Sequence, residues 1–199
     1  MPNRRRQSDG ITLIELLIVV AVIGILVGMM IPESDPGLHD QLRSAAQILR
    51  TDLAYARSLA IANDSKYELS FDTATNRYVL KHSGDNSALD VLPESPFRSP
   101  GDPSDEHIVA FNELPNLGPG VALVAVGTRS DTPSRVDNVE FGPMGATTES
   151  EETVIWLGAG RGEQQRYLPL TVNPTTGLAE VNLDAYTSEG PPAAIMPID

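Results

Sequence analysis

Cysteine is missing from all 199 residues. Disulfide frameworks, thiolate nucleophiles and cysteine-based zinc sites are thereby excluded. A domain exported from the cell without them must hold together by burial alone. Basic residues are scarce as well, 14 Lys and Arg against 27 Asp and Glu, for a formal charge of −13. Residues 180–199 contain neither Lys nor Arg. Nucleic-acid partners normally require a basic face, so binding to a phosphate backbone is not expected. Histidine occurs only at His39, His82 and His107, in segments that read as unrelated elements, and no pair is spaced for zinc.

Other chemical signals are equally thin. Asp102, Asp105 and Glu106 form an acid cluster that reads as a solvated loop rather than a calcium site. Gly158-Ala159-Gly160-Arg161-Gly162 lacks the Gly-Lys-Ser/Thr ending of a phosphate loop and precedes a strand pattern, so it reads as a hairpin turn. No serine or threonine sits in a nucleophile-elbow context. The sequence therefore predicts neither an enzyme nor a metal or cofactor site.

What is present is concentrated at the start. The only long apolar run is Ile11 to Ile31, about 30 Å of helix and thus the thickness of a hydrocarbon core. It is preceded by Arg4, Arg5 and Arg6, which against Asp9 leave residues 1–10 at +2, so the remainder stands at −15. A basic head before an apolar run orients the head to the cytoplasm and sends the rest across the membrane. The run is longer than a secretory signal and passes into Met29-Met30-Ile31-Pro32 with no Ala-x-Ala site, so it is expected to stay on the mature chain. Pro32 removes a backbone donor and is expected to kink or loosen the helix. Gly24 and Gly28 read as common membrane glycines.

Glu15 breaks the run. A carboxylate at a bilayer centre costs on the order of 3 kcal/mol on insertion scales. It stands only about 6 Å of rise from Ile11, within reach of the cytoplasmic headgroups. Two readings follow from the residues alone: a tolerated interfacial acid, or an acid paired with a cation at the same depth on a neighbouring chain.

Gly10 followed by an apolar run with Glu at its fifth position resembles the class III signal of type IV pilins and pseudopilins. Residues Gly10, Thr12–Leu17, Ile18, Val19, Val20, Ile23, Gly24, Leu26 and Pro32 carry the match. It departs at Ile11, where that family most often has Phe or Met, and at Asp9, where Lys or Arg is usual. The resemblance implies cleavage after Gly10 by a prepilin peptidase, N-methylation of Ile11, and a filament contact in which Glu15 faces the Ile11 amine of a neighbouring subunit. A buried charge left unpaired by the wrong register costs about 3–5 kcal/mol, so such a pair sets register as well as affinity.

Beyond Glu33–Gly37, a break, Leu38, Leu42, Ala45, Leu49, Leu53, Ala56 and Ala60 recur at three or four and predict an amphipathic helix ending near Asn63. Strands only are expected after Asp64: 67–71, 77–81, 107–111, 121–126, 138–141, 153–157, 165–172 and 178–183, with Asn173–Gly177 as the last hairpin turn. Residues 83–106, with four prolines, read as a long exposed loop, and the tail from Ser188 as loose. The expected fold class is α+β: a long N-terminal helix on a domain of antiparallel sheets. Its parts are a leader 1–10, a transmembrane and assembly helix 11–31, an amphipathic helix 32–64, a β domain 65–187 and a tail 188–199.

A helix containing "LRTDLAYARSLAIANDSKYELSFD" followed only by strands resembles the GspH/FimT group, the H-type minor pseudopilins of type II secretion and their pilus relatives. Ala56–Ile61, the strand after it and Val139–Gly145 carry that match. It implies a minor pseudopilin anchored in the inner membrane, with the β domain in the periplasm. Its implied partners are other pseudopilins, the prepilin peptidase, the inner-membrane assembly platform and secreted substrates. The alternatives are a FimT-like minor pilin for pilus priming or DNA uptake, and a single-pass anchored binding domain.

Overall fold

The computed structural model describes residues 13–30, 37–93, 101–114, 117, 120–183 and 186–197. The chain divides into two units, Met1–Asp35 and Pro36–Asp199. The first contains helix α1, Leu13–Met30. Ile11, Gly10 and Pro32 lie outside the described residues, so cleavage, methylation and kink sites have no structural counterpart here.

The second unit opens with helix α2, Leu38–Ala62. Of the expected 32–64 helix, residues 32–36 lie outside the described residues, and Gly37, Asn63 and Asp64 flank the helical stretch. Leu42, Ala45, Ala46, Leu49, Leu53, Ala56, Leu59 and Ala60 are buried on one face. The Gly37 carbonyl accepts from the Asp40 and Gln41 amides at the N-terminus, where Asp40 also suits the helix dipole. At the other end the Asn63 amide donates to the Leu59 carbonyl and the Asp64 amide to that of Ile61, and Asp64 turns the chain with a φ of 47°.

Among the described residues eight strands follow: β1 Tyr67–Asp72, β2 Arg77–His82, β3 Glu106–Ala110, β4 Val121–Thr128, β5 Asn138–Phe141, β6 Thr153–Ala159, β7 Arg166–Val172 and β8 Ala179–Val181. They form two antiparallel sheets, β3-β2-β1-β5 and β4-β6-β7-β8. Alternation is visible in β1, where Tyr67, Leu69 and Phe71 are buried and their neighbours are not. In β6 the Leu157, Ile155 and Ala159 side chains join those of Leu168 and Leu170 from β7. One core collects these with the buried face of α2 and with Tyr67, Leu69, Tyr78, Leu80, Val139 and Phe141 of the first sheet. The architecture is α+β, a helix packed on two antiparallel sheets.

Side chains also fasten one sheet to the other. Asn76, in the β1–β2 turn with a φ of 55°, donates to the Val121 carbonyl at 2.8 Å and accepts from the Leu123 amide at 2.7 Å, both in β4. The Thr147 amide donates to the Pro174 carbonyl at 2.8 Å. The glycine run at 158–162 ends β6 and turns into β7, with Gly160 and Gly162 at positive φ.

Two loop expectations need correction. The 83–106 segment is not wholly exposed: Leu92 is buried, its amide donates to the Ser104 carbonyl, and Ser87–Leu89 form a 3-10 turn. An apolar residue in an acidic loop is enough to pull it onto the core. The tail expectation is narrowed at one residue: Ile195 is buried against β4, while Ser188, Glu189, Gly190, Pro192, Ala193, Ala194 and Met196 are exposed.

Candidate functional site

Helix α1 is apolar around its whole circumference. Leu13, Ile14, Leu16, Leu17, Ile18, Val19, Val20, Val22 and Ile23 are all exposed, on every side of the helix. Burying a large aliphatic side chain contributes about 1.5–3 kcal/mol, so such a helix is stable only where lipid or other chains cover it. Glu15 lies in its first turn, where a carboxylate also complements the helix dipole. The described helix has 18 residues, about 27 Å of rise against a hydrocarbon core of about 30 Å. Among the described residues no helix is long and apolar enough to cross a membrane. The expected 11–31 span therefore extends past both ends of what the structure describes.

In the second unit, α2 is where chemistry gathers. Arg57 Nε donates to the Gly145 carbonyl at 3.2 Å and the Thr176 carbonyl at 2.8 Å. These belong to the turns after β5 and between β7 and β8. The sequence stretches 56–61 and 139–145 thus touch each other. Asp52 accepts from the Tyr78 hydroxyl of β2 and lies 4.0 Å from His107 Nε2 of β3. Burial raises the Asp52 carboxyl above the usual range, against the opposing pull of the Tyr78 hydrogen bond and His107. Burial, then the Asp52 charge, raises the Tyr78 phenol well above 10. His107 Nδ1 is buried with no hydrogen-bond partner.

The sequence of residues 5–31 matches the model of the prokaryotic N-terminal methylation motif. The fold is similar to that of EpsH, a minor pseudopilin from the type II secretion system of Vibrio cholerae. That match has 11% identity, covers 73% of this chain and 98% of EpsH, and has a TM-score of 0.51. The chain thus joins a prokaryotic N-terminal methylation motif to a fold similar to that of a minor pseudopilin. A type IV minor pilin, FimU of Pseudomonas aeruginosa, also matches, with 16% identity, 75% of this chain, 94% of FimU and a TM-score of 0.46. No curated protein matches the sequence.

One arrangement in this pilin-like chain escaped sequence reasoning. His82 and His107 fall on adjacent strands, not in unrelated elements, and each faces a carboxylate. His82 is central to a Ser-His-Asp series: Ser65 Oγ is 2.7 Å from Nε2, and Asp90 Oδ1 is 2.7 Å from Nδ1. The connectivity is that of a hydrolytic triad. The Gly84 backbone stands close beside the serine, however. A methyl group on the Gly84 Cα would collide with Ser65 Oγ and lie 2.9 Å from His82 Nε2. The His82 side chain is fully buried. The series pins the loop after β2 to the end of α2. The only signal in sequence was an acid eight residues after a strand-ending histidine, which is too common to read.

Proposed function

We propose that this chain is a minor pseudopilin of a type II protein secretion system. It would assemble through its N-terminal helix into a short periplasmic pseudopilus that drives export of folded proteins. The carrying observation is an apolar helix exposed on all sides, bearing Glu15 in its first turn, inside a prepilin methylation motif. A helix of that kind is stabilised by other helices of its kind and by lipid.

On this reading a prepilin peptidase cuts between Gly10 and Ile11, Ile11 is N-methylated, and Glu15 meets the Ile11 amine of the next subunit. Arg4, Arg5 and Arg6 keep the leader in the cytoplasm, which sends the sheets to the periplasm. The partners are other pseudopilins, the peptidase, the inner-membrane assembly platform and exported substrates. The chain contributes binding rather than catalysis. A DNA-uptake role is disfavoured by the −13 charge and by the lack of Lys and Arg over 180–199.

The test is the mass of the N-terminal peptide from protein isolated out of its native membrane. The expected species begins at N-methylated Ile11. A chain that starts at Met1 or Pro2, in cells with an active prepilin peptidase, would overturn the proposal.

A further inference from the structure

The second sheet has two faces, and the core fills only one. Ile155, Leu157, Leu168 and Leu170 belong to the core. By strand alternation the opposite, outer face carries Trp156 and Val154 of β6 and Tyr167 and Pro169 of β7. It also carries Ala125 and Gly127 of β4, which pair with Trp156 and Val154. Ala125 and Val154 are 1% and 4% exposed, yet neither belongs to the core cluster. Something else covers them.

The C-terminal segment reaches this face at Tyr167 and at Gly127. Thr187 pairs with Tyr167 through two backbone hydrogen bonds of 2.9 and 3.0 Å. Gly190 then lies against the Tyr167 ring, where an added Cβ would be 3.2–3.4 Å from ring atoms. The segment ends on β4, at the far edge of the sheet, with Ile195 seated over Gly127. A side chain at Gly127 would collide with Ile195 Cγ2 and come 2.9 Å from its Cβ. The notch exists because Gly127 has no Cβ. Around this anchor the strap is loosely invested: Ser188, Glu189, Gly190, Pro192, Ala193, Ala194 and Met196 are exposed. One buried side chain and one bridge hold it, and residues 190–197 carry no charge.

We propose that the outer face of the second sheet is a peptide-docking site whose resident ligand is this strap, and that the strap of a second copy of the chain can take its place. The notch selects a branched aliphatic side chain. Pro191 and Pro192 hold the approach extended and bring no backbone donors that would need partners. Two strongly acidic chains repel each other, and the stretch 190–197, which has no charged residue between Glu189 and Asp199, is a part of one copy that approaches the other with little of that penalty. The inference rests on the second unit alone and is independent of the reading of α1.

The experiment uses the full chain in detergent with Ile195→Asp, which unseats the strap and leaves the notch open. A fluorescent peptide of residues 188–199 should bind this variant. It should bind at least about tenfold more weakly when the peptide itself carries Ile195→Asp, or when the chain also carries Gly127→Val. Trp156, the only tryptophan, reports occupancy by its emission. Native mass spectrometry of tagged Ile195→Asp chain mixed with wild type should show heterodimers that the Gly127→Val, Ile195→Asp double variant does not form. No peptide binding by the folded variant, or equal heterodimers with the double variant, would overturn the proposal. Should Ile195→Asp fail to fold, hydrogen exchange on the wild-type chain decides. Strap amides at Thr187 and Ile195 are expected to exchange at least tenfold faster than those of β6, and equal protection would refute exchange of the strap.

Discussion

Arg57 and Gly145 are joined by a 3.2 Å hydrogen bond from Nε to the carbonyl, and the same Nε reaches Thr176. One guanidinium on α2 therefore closes the corner where the β5 turn and the β7–β8 turn meet. Charge-assisted hydrogen bonds contribute about 1.5–3 kcal/mol, less where water competes. Arg57→Ala should lower unfolding stability by about 1–2 kcal/mol in urea titrations, with Arg57→Lys recovering only part, because an ammonium cannot reproduce the planar fork.

Gly177 sits in the same corner. Its φ is 63°, and a Cβ there would collide with the Gly145 carbonyl oxygen. Gly177→Ala combines a left-handed backbone with a steric clash, so it should destabilise by about 2 kcal/mol or more. Thermal unfolding of that variant, beside a Gly162→Ala control with open space around its Cα, separates the clash from the φ effect.

Asp52 gives stability a pH slope. Its folded pKa is raised above the ordinary 3.8, mainly by burial. The stabilisation linked to its proton is complete below that value and is lost as pH rises through the folded pKa. Asp52→Asn keeps an acceptor for the Tyr78 hydroxyl and removes the titration. Relative to Asp52→Asn, the wild-type chain should lose stability as pH climbs from below 3.8 toward neutrality, read as Tm against pH. Parallel curves would show that the carboxyl does not titrate differently on folding.

Glu15→Leu separates anchoring from assembly. The change makes the helix more apolar, so membrane fractionation should be unchanged or improved. Filament assembly, followed by crosslinking to other subunits in the native cell, should fall sharply. Normal assembly of this variant would remove the role given to Glu15.

Asp90 holds the loop after β2 through His82. Asp90→Ala should leave the sheets intact and speed hydrogen exchange at Leu89, Asp90 and Leu92. It should produce no loss of any hydrolytic activity, since the Gly84 backbone stands close beside Ser65.

Much of this architecture was legible because each element carries its period. The three-and-four spacing from Leu42 to Ala60 and the alternation of Tyr67, Leu69 and Phe71 state helix and strand directly. Gly10, Ile11 and Glu15 were legible as a motif. What stayed hidden depends on residues distant in sequence. Nothing near Ile195 announces a buried residue, because its seat is made by the missing side chain of Gly127. The Ser65, His82 and Asp90 series forms only when the β1–β2 hairpin returns the chain to the end of α2. The acidic loop looked solvated because one apolar residue, Leu92, does not alter its composition.

Helix α2 packs against strands of both sheets through a single core. Stripping either sheet would uncover part of that shared core, so neither sheet is expected to melt ahead of the other, and the domain should unfold in a single cooperative transition.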